Sequence, residues 1–479
     1  MNGMIIAVVI GLIFIAFLGF VGRKQSFDNN TGWTIGNRNM SSLTTFFLQA
    51  GGIFTSFTFL GMSGLALLGG VSSAYMPAYL ILGYIGMFIM GPLVWRIAKI
   101  YNYHTNADMV GHQFSSPMLG KLVAVLGVLF FTPIVQVQII GLGTIVSFST
   151  GAKEAGMVSM VIATILILAF VNFAGLRGVA TTAYFKDVAM IAALVIIFFG
   201  VALKFGTQDL MQTAMTKAEH LFFVAPGTKA FGINWFVSSV IISGIGLGAM
   251  TLPESWPAVL SASKSRGISK NHVLLPLYTL GTFIPIVLGF YAVNQLQVEA
   301  GQENSAILTL AAQTLPTWLM AFVVISGLAC AMVPAAHCVL SIATLVSANF
   351  VPKNTGDVKK LKIGRIASAV ILLLSLGMAI TRPDLMANLY LLTYAGLAQL
   401  APANILSVTR QRFIGAPALI GGMVAAECVV IFLTITKYSV FGINNGVVGL
   451  VINLIVMLVI AAATGPANRP ELPKALQKY

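Results

Sequence analysis

The chain of 479 residues is 58% hydrophobic and only 8% charged, with a net charge of +14, and its mean hydropathy is +0.93. A soluble globular domain carries about 25% charged residues, so this composition excludes a water-soluble enzyme or binding module and places most of the chain in lipid. The basic excess clusters in short loops, where membrane orientation explains it without a nucleic-acid partner.

Apolar runs of spanning length fall near residues 3–22, 43–70, 74–97, 119–149, 156–175, 182–204, 231–252, 272–296, 317–349, 364–381, 386–408, 414–436 and 442–464, thirteen in all. The first has no basic leading segment and no small-residue cleavage site, so it reads as a retained helix and not a signal peptide. Lys and Arg in alternate loops number twenty on one side and six on the other, with only Lys186 left over. That asymmetry predicts a multi-pass protein of the cytoplasmic (inner) membrane, N-terminus outside and C-terminus in the cytoplasm.

Two runs are broken. Residues 43–70 hold Gly51, Gly52, Gly61, Gly64, Gly69 and Gly70 around a centre rich in weak helix formers. Residues 231–252 hold Gly244, Gly246 and Gly248, followed by Pro253 and Pro257. Interrupted helices at matching places five spans apart point to an inverted-repeat transporter, although glycines also serve close helix packing. The expected organisation is a first helix and cytoplasmic loop (1–42), a first repeat (43–206), an extracellular loop (207–230), a second repeat (231–409), and two peripheral helices with a cytoplasmic tail (410–479).

Cys330, Cys338 and Cys428 lie in apolar runs and suggest neither a disulfide framework nor a metal motif. Without paired carboxylates, metal-ligand spacing or a nucleophile–base motif, the expectation is a protein that is not an enzyme and needs no cofactor or metal. The short tail after Ala463 sets the expectation of no appended signalling domain. A passive channel stays open as an alternative, distinguishable by currents far above carrier turnover.

Three segments resemble the sodium/solute symporter family. Gly36-Asn37-Arg38 with Phe59-Leu60-Gly61-Met62-Ser63-Gly64 resembles its first core helix. Gly175-Leu176-Arg177-Gly178 through Asp187 resembles the fifth, where Lys186-Asp187 stands for the usual Thr-Asp, and Ala331-Met332-Val333-Pro334 through Ser341 resembles the eighth. The resemblance, over about residues 30–410, implies an all-α membrane protein with a leucine-transporter-like five-plus-five inverted repeat and alternating access. It also implies a small-molecule substrate, the lipid bilayer as surroundings, and a sodium site built from backbone carbonyls near Gly51 and Phe54 and two hydroxyls that here fall on Val333 and Pro334. Neither of those side chains offers sodium an oxygen.

The candidate site follows. The Lys186 ammonium is expected to fill the vacated sodium site, bridging the first, fifth and eighth core helices and carrying a proton; the alternative is a lysine that snorkels to the interface. Pro334 frees the Cys330 carbonyl as a further acceptor. Asp187 is expected to point away from Lys186, since neighbours on a helix diverge by about 100°. His337 is a candidate proton relay or anion contact, or a packing histidine. Thr55, Ser56 and Thr58 at the broken centre, with Gln138, Tyr394 and Gln399, are candidate substrate contacts; their alternative is ordinary helix hydrogen bonding. Gln136 belongs with these. Glu254 and Trp256 read as a cytoplasmic gate or interface belt, and Glu427 as peripheral. The expected activity is secondary transport of a small polar solute, a monocarboxylate or other organic acid or an amino acid, sodium-independent and proton-coupled, with sodium coupling at another site or facilitated exchange as alternatives.

Overall fold

Gly70 and Gly175 punctuate the two longest apolar helical stretches, Phe57–Tyr101 and Gly156–Phe205. At about 1.5 Å per residue, either stretch kept straight would run to twice the roughly 30 Å of a bilayer core or more. Both glycines have positive φ (Gly70 φ +55, ψ −131; Gly175 φ +56, ψ −164), a conformation that costs other residues a steric clash. A Cβ at Gly175 would also press to 3.0 Å from the Trp33 ring.

The computed structural model describes residues 2–22, 29–151, 153–295, 302–352, 354–381, 384–409, 411–465 and 470. The main helices are α1 (Asn2–Val21), α2 (Ser42–Ala50), α3 (Met62–Gly69), α4 (Tyr75–Tyr101), α5 (Pro117–Thr150), α6 (Lys153–Phe205, divided at Gly175), α7 (Ile233–Gly248), α8 (Ser255–Leu260), α9 (Ser265–Thr279), α10 (Phe283–Gln295), α11 (Thr317–Asn349), α12 (Asp357–Thr381), α13 (Met386–Leu397), α14 (Ala401–Ser407), α15 (Ala416–Thr436) and α16 (Asn445–Thr464). Ten helices among the described residues are long and apolar enough to cross a membrane. Dividing two of them at Gly70 and Gly175 and adding the shorter apolar α7 gives thirteen segments, in register with the thirteen apolar runs.

At the centre, α11 packs against α5 and α6, and α7 packs against α4. The outer helices α15 and α16 pack mainly on each other. Apolar side chains such as Ile6, Ile10, Ile13 and Phe17 on α1 and Ile455, Leu458 and Val459 on α16 stay exposed, which is the arrangement lipid contact requires.

Two spans are broken. After Ala50 the chain passes through a turn over residues 51–55 and resumes as a π-helical segment, Phe57–Gly61, leading into α3. After Gly248 it turns at Met250, which adopts φ +54, before α8. The two breaks are tied together near one face of the molecule. Met40, before α2, bonds to Ser261 and Ser263, after α8 (Met40 N to Ser261 O 2.9 Å; Ser263 N to Met40 O 3.0 Å).

Candidate functional site

A helix that stops mid-membrane leaves carbonyls without donors, and these carry the negative end of the helix dipole. At the first break the donor comes from α6. Lys186 Nζ donates to Phe54 O (2.6 Å) and Gly51 O (3.3 Å). It also lies 2.6 Å from Asp187 Oδ1, and both side chains have 0% exposure. The ammonium therefore does not snorkel. Its neutral pairing with a carboxylate, together with two carbonyl contacts, is the condition under which a buried charge is tolerated.

Three expectations about this cation are corrected. Asp187 does face Lys186, because a flexible four-carbon stem carries the ammonium back over its own helix although the two Cβ atoms diverge. The Cys330 carbonyl is not among the ammonium's hydrogen-bond partners, and α11 supplies none of its polar contacts; these are the Gly51 and Phe54 carbonyls and the ion pair with Asp187. On α11, Val333 lines a small apolar gap with Ile15, Ile167, Phe170 and Met332, and Pro334 beside it is buried. Tyr278 from α9 closes the site. Its ring meets Phe54 edge-on at 4.7 Å and its hydroxyl lies beside Asp187.

Beyond the break a second cluster forms. Ser56 donates from its backbone N (3.1 Å) and its Oγ (2.7 Å) to Gln138 Oε1 on α5. Thr55 Oγ1 pairs with the Tyr390 hydroxyl at 2.9 Å, and Gln138 Nε2 reaches the same hydroxyl at 3.4 Å. Tyr390 also stacks on Phe57 with centroids 4.7 Å apart. One hydroxyl on α13 thus connects the broken helix to α5. A cavity of about 1170 Å³ opens on one side, bordered by Thr144, Ser147, Asp384 and Asn388. A smaller one of about 30 Å³ lies on the other, bordered by Gln49, Gly52, Glu254, His337 and Tyr394.

The sodium:solute symporter family model matches residues 33–425. The chain belongs to this family. Among its relatives, the uncharacterized symporter YhjB of Bacillus subtilis (strain 168) is 28% identical, over 99% of this chain and 100% of its own length. A monocarboxylate transport permease protein of Rhizobium johnstonii is 27% identical, over 88% of this chain and 87% of its own. A Na+-coupled sialic acid symporter in a substrate-bound outward-open state shares the fold, with TM-score 0.79 at 15% identity, covering 98% of this chain and 99% of that one. The nucleobase-cation-symport transporter Mhp1 follows at TM-score 0.53 and 16% identity, over 95% and 98% of the two chains. The helices and breaks described above are therefore those of a five-plus-five inverted-repeat transporter, and the protein is a multi-pass membrane symporter of a solute.

In this symporter the remaining residues divide. Thr55, Ser56 and Gln138 come together, and Tyr394 borders the smaller cavity with His337. Thr58 instead donates to Ile53 O, closing the break from within its own helix. Gln399 stands apart: its amide donates to Ala395 O and to Gly446 O on α16 (2.9 Å each), and Asn453 donates to its carbonyl. Its partner helix is peripheral, a packing relation that sequence spacing does not display. Gln136 bonds Met378 O on α12. Of the gate or interface belt expected for Trp256, the belt is excluded: the residue is buried and donates to Met250 O (2.8 Å), capping the second break.

Two residues of this symporter escape a reading of the sequence. Tyr390 resembles core filling in an apolar helix, yet it precedes Tyr394 by one turn and so shares its face. Glu254 lies not in an interface belt but on the smaller cavity, where it meets Gly52 and accepts a hydrogen bond from Cys338 Sγ (3.3 Å).

Proposed function

We propose that this symporter is a sodium-independent, proton-coupled carrier of a small polar solute, an organic acid such as a monocarboxylate or an amino acid, working by alternating access. The observation that carries the reading is the Lys186 ammonium held by the Gly51 and Phe54 carbonyls. The resemblance to the family places a sodium ion at those carbonyls, and a fixed ammonium there leaves a second cation no room. The hydroxyls that would complete a sodium shell are replaced by Val333 and Pro334, and sodium prefers hard oxygen ligands. The monocarboxylate transport permease among the relatives supports the organic-acid class.

On this reading Lys186 and Asp187 form the fixed ion-site surrogate and His337 belongs to the proton-linked machinery. Thr55, Ser56 and Gln138, with Tyr390, hold the solute midway. The segments 43–206 and 231–409 are the two repeats whose relative movement exposes the site alternately. The bias of basic residues supports a cytoplasmic membrane location with the N-terminus outside.

The test is uptake of labelled monocarboxylates and amino acids into proteoliposomes under an imposed proton gradient and, separately, a sodium gradient. Accumulation driven by protons and indifferent to sodium is expected. Sodium-driven accumulation would overturn the reading and place the ion elsewhere, and equilibration without accumulation would make the protein a facilitative exchanger.

A further inference from the structure

Lys186 is poorly suited to giving up a proton. It is sealed from solvent with Asp187. Deprotonation would strip donors from Gly51 O and Phe54 O and leave Asp187 a buried, unpaired charge, the costly half of a broken ion pair. The charge at the first break is better read as permanent.

Across the Gly51–Gly52 backbone lies a different environment. Glu254 retains partial exposure. Its Oε1 is the atom that a Cβ on Gly52 would meet, at 3.1 Å, and its Oε2 accepts only the weak Sγ–H of Cys338. Two further polar side chains border the same cavity: Gln49, 6% exposed, and His337, 4% exposed. Both amide atoms of Gln49 and the Nε2 of His337 have no hydrogen-bond partner within the protein. Buried polar atoms left unpaired cost about 1–3 kcal/mol each. The cavity of about 30 Å³ is roomy enough for one or two waters, which need about 10–15 Å³ of such volume each and two to four polar partners.

The groups facing Glu254 are Tyr79 and Tyr84 from α4, His337 and Cys338 from α11, and Tyr390 and Tyr394 from α13, with Lys186 beyond the break. Lys186, the one fixed cation in that set, is already paired with Asp187 and does not contact Glu254, so the carboxylate has no ion-pair partner of its own.

We infer that Glu254 carries the transported proton, received through water held among Glu254, Gln49 and His337, while Lys186 stays charged throughout the cycle. An O–H bond forms on the Glu254 carboxylate with a proton from water on one side of the membrane, and breaks to return that proton to water on the other. No other bond changes. Protonation removes a negative charge facing Gly52, so the charge state of Glu254 is felt by the same backbone turn whose other side holds Lys186. This assignment rests on the proton-coupled reading above.

The experiment uses the full chain in proteoliposomes with an entrapped pH dye. Solute-evoked proton entry is recorded beside solute counterflow, which needs no gradient. The wild type tests the coupled reading: solute-evoked proton entry is expected, and its absence would overturn both that reading and this assignment. In Glu254→Gln the ratio of proton entry to counterflow is expected to fall to the level of empty liposomes. Proton entry persisting in wild-type proportion to counterflow would overturn the assignment while leaving proton coupling intact. Should Glu254→Gln lose counterflow as well, Glu254→Asp decides, because a carboxylate moved by one methylene should restore coupling with a displaced pH profile. Glu254→Asp with a wild-type pH profile would overturn the assignment.

Discussion

Gly51 and Gly52, adjacent in the chain, face groups of opposite charge: a Cβ on the first would lie 3.7 Å from Lys186 Nζ, and on the second 3.1 Å from Glu254 Oε1. The two sides of one turn thus meet a sealed cation and a partly exposed carboxylate. Gly52→Ala should push the Glu254 carboxylate off its position and lower transport. The same change at Gly51 meets the Phe47 and Leu48 carbonyls at 3.3 Å, farther from either charge. Initial uptake rates of the two variants, normalised to folded protein, should rank Gly52→Ala below Gly51→Ala. Equal losses would remove the distinction.

Removing the ammonium should cost more than removing the ion pair. Lys186→Met leaves Asp187 without its partner, a change worth about 3–5 kcal/mol when a buried pair is broken on one side. Lys186→Met with Asp187→Asn removes both charges and should recover part of the loss. Thermal unfolding in detergent would show it: a double variant melting no higher than the single one contradicts the pairing.

Tyr390→Phe removes the hydroxyl that Thr55 and Gln138 share. A hydrogen bond of this kind contributes about 0.5–1.5 kcal/mol net. The ring stack on Phe57 is kept, so folding should survive. A severalfold rise in KM for the transported solute is expected, measured as concentration-dependent uptake, and an unchanged KM would place the cluster outside solute binding.

Where α10 crosses α3, the backbone approach is close. A Cβ on Gly289 would sit 2.5 Å from Ser63 O, an atom that cannot swing aside. Gly289→Ala should destabilise by about 1–3 kcal/mol through overpacking. The melting temperature of the purified variant checks this, and an unchanged value would mean that α10 and α3 are less tightly joined.

Outside the spans, His104 supplies a pH dependence. Burial, with Arg38 and Lys360 nearby, lowers its pKa to about 4, and Thr34 Oγ1 pairs with its Nδ1 at 3.1 Å. The unfolded ring titrates near about 6.5. The neutral ring therefore contributes stability that is complete above that value and is lost as pH falls through about 4. His104→Asn should flatten the decline in melting temperature over that window; an identical decline in both proteins would assign the acid sensitivity to other groups.

The span pattern was legible because hydropathy and glycine breaks are local properties. Lys186 was legible because charge inside an apolar run has no cheap explanation. What failed were relations set by helix rotation and side-chain reach. The divergence of neighbouring Cβ atoms hid the Lys186–Asp187 contact, since a long stem is not confined to the direction of its first bond. The cavity-facing orientation of Glu254 depends on the turn at Met250, whose positive φ no glycine announces. The commitment of Gln399 to α16 depends on which peripheral helix packs there.

The second break is closed differently from the first. Its freed carbonyls, Ala249 O and Met250 O, accept from the Asn404 amide at 3.1 and 3.0 Å. A neutral amide stands there in the place that an ammonium takes at the first break. The transmembrane potential acts on charge, at about 2.3 kcal/mol per elementary charge per 100 mV. The Asn404 latch itself carries no charge for it to act on, whereas the turn between Lys186 and Glu254 is flanked by two charged groups. The two breaks are thus closed by unlike groups, an ammonium at one and an amide at the other, and any voltage sensitivity of the cycle should enter where Lys186 and Glu254 flank the Gly51–Gly52 turn.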